Sequence, residues 1–374
     1  MVLSLVAHRL QNIALLMVGE ISSLYGGNSD QPQPVTKTFM SSLIKNLRQI
    51  AVLFAICIFC ISCSRVPSTV TNPWKTLSLP SEAIFSDIAF TSNPDRGWLV
   101  GTQATLFETN DGGETWTQQS LDLGDEKVTL EAISFSGDEG WIAGQPSIML
   151  HTEDGGDSWA RIPLSAKLPG SPLGIIALDD STAEMVTNLG AIYKTKDGGK
   201  NWKALVEGSV GVARSIHRSD DGRYVAVSAK GNFFSTWEPG ATEWVPHQRT
   251  SSRRLQNMGF NQDGSLWLLA RGGQVQFSDA EDYDEWGEPI YPEFSSSWGF
   301  LDVGYRTPEE IWLAGGSANL LVSPDGGETW SKDRDVEDAP SNFYKIVFVS
   351  PEKGFILGER GTLLKYVPEA GAAV

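Results

Sequence analysis

Cysteine is scarce in this chain of 374 residues: it has three, and all of them lie between residues 57 and 63. From Ser64 onward no side chain could form a disulfide, bind a metal through a thiolate or act as a cysteine nucleophile. Histidine is nearly as rare, and the three in the main body show no metal-ligand spacing: His151, His217 and His247. Nucleophile-elbow and phosphate-loop motifs are also missing. These absences favour a binding protein over an enzyme, with no metal and no cofactor.

Positive charge is in short supply as well. The chain has 29 Lys and Arg against 46 Asp and Glu, a formal net charge of −17. Nucleic-acid binding requires a basic face, because the phosphates repel an acidic one. We therefore expect no nucleic-acid partner, although a local basic patch remains compatible with this balance.

Only one segment, residues 40–63, has the pattern of a membrane-targeting sequence. It begins with basic residues and continues with an apolar run of about a dozen residues, which fits a signal peptide and is too short for an ordinary transmembrane span. It ends in Ile-Ser-Cys, which resembles a bacterial lipoprotein box and predicts lipidation of Cys63. Plain cleavage near Ser62 and an uncleaved anchor are the alternatives.

The remaining boundaries follow from this segment. We expect translation to start at Met40, with 1–39 as an extension outside the native protein. We further expect a linker over 64–72, one folded domain over 73–368 and a tail over 369–374. Removing residues 1–63 leaves 25 basic and 44 acidic residues, a net charge of −19.

A short motif containing an acid, two glycines and a tryptophan recurs along the chain. It reads TNDGGETW at 109–116, TEDGGDSW at 152–159, TKDGGKNW at 195–202 and SPDGGETW at 323–330. With Trp74, Trp244 and Trp286, seven tryptophans follow one another at intervals of 42, 43, 43, 42, 42 and 44 residues. Each period holds four short apolar segments separated by turns and no helical periodicity, which is typical of a β-propeller blade.

The two ends of the repeat complete each other. Residues 343–367 supply three strands without a tryptophan strand, and 74–79 supply one tryptophan strand with nothing before it. Pairing them in one sheet closes the ring and removes exposed strand edges. The sequence therefore predicts an all-β fold, a single seven-bladed β-propeller with four-stranded antiparallel blades.

The repeated motif matches the Asp-box of several propeller families. Asp-Gly-Gly suits a tight turn, because glycine tolerates positive φ and aspartate accepts nearby backbone N–H groups. We expect the tryptophan ring to pack between blades with its N–H hydrogen-bonded. Calcium binding is the alternative, but each box offers one certain carboxylate against the roughly six to eight oxygens that calcium prefers. The structural residues of the boxes are Asp111, Trp116, Asp154, Trp159, Asp197, Trp202, Asp325 and Trp330.

The fourth and fifth predicted blades depart from the repeat, since their boxes have decayed and they are rich in arginine. Residues 203–275 carry nine Lys or Arg and six Asp or Glu, whereas the rest of the main body is strongly acidic. Links between blades and turns between second and third strands share one face of a propeller, so we expect a patch there. Its members are Arg214, Arg253, Arg254 and Arg271, with Arg249; Arg218 and Arg223 are less certain members, because they lie at the other end of their strand.

Arginine holds carboxylates in a fixed direction, so the patch predicts binding to a polypeptide with acidic or C-terminal carboxylate groups. Scattered, solvated arginines are the alternative. The lipobox-like leader, the single propeller with GWLVG…TNDGGETW and GWIAGQ…TEDGGDSW repeats, and the arginine cluster together resemble the photosystem II stability and assembly factors of cyanobacteria and chloroplasts.

That resemblance implies a non-enzymatic, lumenal factor at the thylakoid membrane. It implies binding to the precursor of the reaction-centre core protein and to early assembly complexes, in assembly and repair, through an arginine patch on one face. We expect a monomer held to the membrane by its lipid anchor. A secreted glycan-binding or glycan-hydrolysing propeller is the alternative, although nothing in the sequence places the Tyr–Glu pair of a sialidase beside its arginines.

Overall fold

The computed structural model describes residues 72–368 except 125, 208–209, 250, 280–281 and 293–298. Cys63, the expected leader and the expected tail lie outside the described residues, so their predictions stand untested. Regular structure in the described residues is entirely β. Within these same ranges no helix is long and apolar enough to cross a bilayer.

The strands form seven antiparallel sheets, one for each blade. Their bounds in chain order are β1 (Trp74–Ser78); blade one, β2 (Phe85–Phe90), β3 (Gly97–Gly101), β4 (Thr105–Thr109), β5 (Thr117–Gln119); blade two, β6 (Thr129–Ser136), β7 (Glu139–Gln145), β8 (Ile148–Thr152), β9 (Ala160–Arg161); blade three, β10 (Pro172–Asp179), β11 (Thr182–Thr187), β12 (Ile192–Thr195), β13 (Lys203–Val206); blade four, β14 (Ala213–Arg218), β15 (Tyr224–Ser228), β16 (Phe233–Trp237), β17 (Val245–Gln248); blade five, β18 (Leu255–Phe260), β19 (Leu266–Ala270), β20 (Gln274–Phe277); blade six, β21 (Phe300–Tyr305), β22 (Ile311–Gly315), β23 (Leu320–Ser323), β24 (Ser331–Lys332); blade seven, β25 (Lys345–Ser350), β26 (Lys353–Leu357), β27 (Thr362–Tyr366).

The predicted propeller and its ring closure are confirmed. Strand β1 pairs with β27, with Trp74 opposite Tyr366, so the first strand of the chain completes the last blade. The Trp74 ring is 4% exposed and packs edge-on against Trp312 of blade six, with 5.3 Å between ring centroids. The closing strand thus joins the two chain ends and also packs against the neighbouring blade.

Blade five has a less regular outer edge than the other blades. Its sheet contains three strands, and isolated bridges from Trp286 to Ser278 and from Ile290 to Val275 stand where the fourth strand was expected. Pro289 lies between these two bridges and has no N–H to donate to a ladder. The interruption explains why the expected fourth strand is replaced by two separate bridges.

The apolar core lies between the blades. The described residues form seven buried clusters, each drawn from two neighbouring blades, and the cluster of Trp98 and Val100 with Ile133 and Ile142 joins blades one and two. Second strands such as β3 are buried along their whole length because a sheet covers each of their faces. Each blade is therefore stabilised mainly by its neighbours.

Two faces of the ring are distinguished by their turns. The box face carries the Asp-box turns between third and fourth strands, together with the turns between first and second strands. The connection face carries the turns between second and third strands and the links from one blade to the next. Antiparallel pairing within every blade fixes this division.

Each Asp-box closes its own turn through the aspartate carboxylate. Asp111 Oδ1 accepts hydrogen bonds from the Thr115 N–H at 2.9 Å and the Thr109 hydroxyl at 2.8 Å, and Oδ2 accepts from the Thr115 hydroxyl at 2.5 Å. These bonds, with those from Thr115 contributing most, lower the pKa of Asp111 to about 2. The same arrangement recurs at Asp154, Asp197 and Asp325.

The second glycine of each box packs against an aromatic side chain of the preceding blade. Gly156 has φ +97°, and a Cβ added there would lie 2.4 Å from the ring of Trp98. The Trp98 indole donates to the Gly155 carbonyl at 2.9 Å. Equivalent approaches join Gly113 to Phe355, Gly199 to Trp141 and Gly327 to Phe277. Glycine is required here for its backbone conformation and for the close approach between blades.

The expectation that every box tryptophan keeps its N–H hydrogen-bonded is wrong for three of them. Trp330 donates to the Gly327 carbonyl at 3.0 Å. The buried indole N–H groups of Trp116, Trp159 and Trp202 have no acceptor among the described residues. Packing positions these rings instead, since Trp159 stands edge-on to Trp98 with 5.9 Å between centroids.

Gly156→Ala is expected to destabilise the propeller more than Gly137→Ala. Both positions have positive φ, which costs an alanine about 1 kcal/mol. Only Gly156 also faces an aromatic ring, and the overpacking adds about 1–3 kcal/mol. Urea unfolding followed by tryptophan fluorescence measures the difference. Equal losses at the two positions would show that the close approach of the blades is unimportant.

Asp111→Asn is expected to make the stability of the folded protein less sensitive to a fall in pH. The carboxylate has a pKa of about 2 in the folded protein and about 3.9 in an unfolded chain. Its contribution is therefore present above pH 4 and is lost as the pH falls toward 2. The urea midpoint of the parent should exceed that of Asp111→Asn at pH 5, and the gap should narrow at pH 3. The control is Asp220→Asn, since Asp220 accepts no hydrogen bond from the described residues; an equal response in both variants would contradict the assignment.

Candidate functional site

Five of the seven arginines named from the sequence lie together on the connection face of blades four and five. Arg214, Arg253, Arg254 and Arg271 are exposed, and Arg249 is half-buried. Arg249 follows β17, Arg253 and Arg254 precede β18, and Arg271 follows β19. We call these five residues the blade 4–5 arginine patch.

Three of the five patch arginines are held by neutral acceptors. Arg214 donates to Gln256 Oε1 at 3.0 Å and to the Ala229 carbonyl at 3.1 Å. Arg249 donates to the Arg253 carbonyl at 2.7 Å, and Arg253 donates to the Arg271 carbonyl at 3.1 Å. These bonds orient the guanidinium groups and leave their charges uncompensated.

Pairing with carboxylates separates the arginines of the described residues into two groups of six. Those with a carboxylate within salt-bridge distance are Arg96, Arg161, Arg218, Arg223, Arg306 and Arg334. Those without one among the described residues are the five patch members and Arg360, in the turn between β26 and β27 of blade seven. All six unpaired arginines therefore lie on the connection face.

Arg218 and Arg223 do not join the patch. Arg218 lies four residues along β14 from Arg214, about 13 Å at the rise of a strand, and so reaches the box face. Its Nε donates to Glu184 Oε2 at 2.9 Å, and Arg223 Nε donates to Asp221 Oδ2 at 2.8 Å. Both side chains are engaged in ion pairs on the side of the ring opposite the patch.

His217, in the first strand of blade four, belongs to a polar network that crosses the first strands of several blades. His217 Nε2 lies 3.0 Å from Asn257 Oδ1, and Asn257 Nδ2 donates to Asp302 Oδ1 at 3.1 Å. Burial lowers the pKa of His217 to about 4 and raises that of Asp302 to about 6. Asp302 also accepts the Ile346 N–H at 2.9 Å. The network thus links the inner strands of blades four to seven.

Two tyrosines stand beside a glutamate, as a sialidase would require. The Tyr344 hydroxyl donates to Glu359 Oε2 at 3.1 Å, and burial raises the pKa of this phenol. The Tyr224 hydroxyl is 3.3 Å from Glu184 Oε2, which also binds Arg218. Tyr224 is 2% exposed, and burial raises its pKa, whereas a nucleophilic phenol needs access and a lowered pKa. The described residues also contain no group of three or more His, Cys, Asp or Glu side chains that could hold a metal ion.

A cavity that the sequence did not predict opens beside the patch. It has a volume of about 530 Å³ and is lined by side chains of blades four and five. Arg249 and Arg253 stand at its edge, and Tyr291 faces the guanidinium of Arg253 at 5.1 Å. The sequence signal of an irregular outer edge in blade five is a pair of prolines, Pro289 and Pro292, on either side of Ile290 and Tyr291.

A comparison with protein families and a comparison with individual proteins identify the same family. The family model described as photosynthesis system II assembly factor YCF48 matches residues 66–367. The photosystem II assembly lipoprotein Ycf48 of Synechocystis sp. is 68% identical over 336 residues, which cover 90% of this chain and 98% of that protein.

Solved structures give the same result. One described as YCF48 bound to D1 peptide is 54% identical with a TM-score of 0.79, covering 82% of this chain and 100% of that one. YCF48 from Cyanidioschyzon merolae is 39% identical with a TM-score of 0.76, covering 80% and 100%. This chain belongs to the YCF48 family of photosystem II assembly factors.

Proposed function

We propose that this protein binds the photosystem II reaction-centre core protein D1, in its precursor form, through the blade 4–5 arginine patch. It does so as a non-enzymatic factor that acts on early assembly complexes, in assembly and in repair. The observation that carries the proposal is the segregation of unpaired arginines to one face, five of them in two adjacent blades. A solved relative with a bound D1 peptide supports the choice of partner.

The electrostatics of the patch suit a peptide with carboxylate groups. Guanidinium groups without a carboxylate partner keep free N–H donors for a ligand, and hydrogen bonds to charged groups are the strong ones. The main body carries a net charge of −19, so an acidic segment is repelled from most of the surface and attracted to this face. The patch therefore selects the face on which a partner docks.

The proposal includes attachment to the lumenal side of the thylakoid membrane through a lipid on Cys63. The relative from Synechocystis sp. is named a lipoprotein, which supports this anchor. Several acyl chains on one cysteine would hold the protein firmly, whereas a single chain binds only marginally. We propose that the protein acts there as a monomer, with the connection face available to D1.

Removing three patch charges is expected to abolish D1 binding without unfolding the propeller. The variant Arg214→Ala/Arg254→Ala/Arg271→Ala deletes exposed side chains with no ion pair in the described part of the chain. Each hydrogen bond to a charged group contributes about 1.5–3 kcal/mol, so a loss of at least about 100-fold in affinity is expected. Fluorescence polarisation with labelled D1 peptides, at low and high salt, measures it.

The matched control is Lys196→Ala/Lys200→Ala/Lys203→Ala, which removes the same charge from exposed positions of blade three. This control should bind D1 peptides like the parent, and both triple variants should keep the parent melting temperature. If both variants lose affinity equally, net charge alone governs binding and the patch has no specific role. Unchanged binding by the arginine variant would refute the proposed site.

A further inference from the structure

The cavity between blades four and five has an apolar floor. Phe234 and Leu268 line it and are buried, and Trp286 stands edge-on to Phe234 with 5.9 Å between ring centroids. Its volume of about 530 Å³ lies within the range of roughly 300–1,000 Å³ that is usual for ligand sites. The floor suits a large apolar side chain.

One buried polar atom in the wall has no partner. Gln274, the first residue of β20, is 2% exposed and lines the cavity. Its Nε2 donates to Gln276 Oε1 at 2.6 Å, whereas its Oε1 receives no hydrogen bond from the described residues. A buried acceptor left unpaired destabilises the fold, and this one can meet a ligand donor once the Gln274 side chain turns toward the cavity that it lines.

The edge of the cavity facing the patch is cationic. Arg249 is half-buried there without a carboxylate among the described residues, and burial lowers its pKa. Arg253 stacks over Tyr291 and likewise has no acidic partner in that part of the chain. Asp284, the acidic residue in the lining, is already bound to His247 Nδ1 at 2.8 Å. A carboxylate on the ligand would complement this edge.

We propose that this cavity is the specificity subsite for the partner peptide, a proposal that rests on the proposed function. It takes one large apolar side chain of an extended segment, and the Gln274 side chain turns so that its Oε1 accepts from a main-chain N–H beside that side chain. A carboxylate one or two residues away, from the C terminus or an acidic side chain, binds Arg249 and Arg253. A fatty acid has no N–H for Gln274, and a sugar would leave the apolar floor unused, so a peptide fits best.

The test uses overlapping 15-residue peptides that cover D1, each labelled with fluorescein. The tightest binder is expected to carry a large apolar residue within two positions of a carboxylate. Replacing that apolar residue by Gly should weaken binding by roughly tenfold or more. Amidating or neutralising the carboxylate should weaken it as well.

Gln274→Met tests the protein side with little change in volume. We expect roughly 3- to 10-fold weaker binding, together with a melting temperature equal to or above that of the parent, because the unpaired acceptor is gone. A purely structural role would lower stability and leave affinity unchanged. The control Gln119→Met removes a glutamine bonded to Glu108 in blade one and should leave binding unchanged.

The outcomes separate this proposal from the function on which it rests. If the triple arginine variant loses binding while Gln274→Met and the Gly-substituted peptide bind normally, the subsite is refuted and the patch stands. If no D1 peptide binds, or the arginine variant binds normally, the proposed function fails and the subsite fails with it. Should Gln274→Met not fold, the peptide substitutions on the parent protein decide the matter.

Discussion

No blade of this ring can bury its apolar surface alone, and the rest of the structure follows from that constraint. Every core cluster is shared by two neighbouring blades, and β1, paired with β27, adds Trp74 to the cluster of blades six and seven and Leu77 to that of blades seven and one. The glycine pair of each box brings its turn into contact with an aromatic ring of the preceding blade. The strict spacing along the chain reflects this repeated interlocking, because each interface must have the same geometry for the ring to close.

Blades four and five have lost their Asp-boxes and also carry the candidate site, but the loss of the boxes does not create the site directly. The missing boxes belong to the box face, whereas the arginines lie on the connection face. What links them is the outer edge of blade five, where Pro289 interrupts the fourth strand and separate bridges replace a ladder. An irregular edge leaves space against blade four, and that space is the cavity beside Arg249 and Arg253.

The unpaired arginines of the described residues are concentrated on the connection face, because the arginines elsewhere are paired with carboxylates. Arginines such as Arg218 and Arg306 are neutralised by a nearby carboxylate, so they contribute to local structure. Arg214, Arg249 and Arg253 are held by carbonyls and an amide, which fix direction without cancelling charge. Such preorganised cations attract a partner from a distance and orient it on arrival.

The sequence by itself determined the architecture, since the seven-tryptophan period, the strand count and the incomplete ends allow one way to close the ring. It also located the five patch arginines, because strand order in a blade assigns each turn to a face. Only the tertiary structure decided which arginines are paired, since Asp157, one of two carboxylates on Arg96, and Glu184, on Arg218, lie 61 and 34 residues away in sequence and come from neighbouring blades. The cavity and the unpaired Gln274 were likewise beyond the sequence. They arise from packing between blades four and five, where an interrupted strand edge and side chains distant in the chain come together in a way that no local pattern encodes.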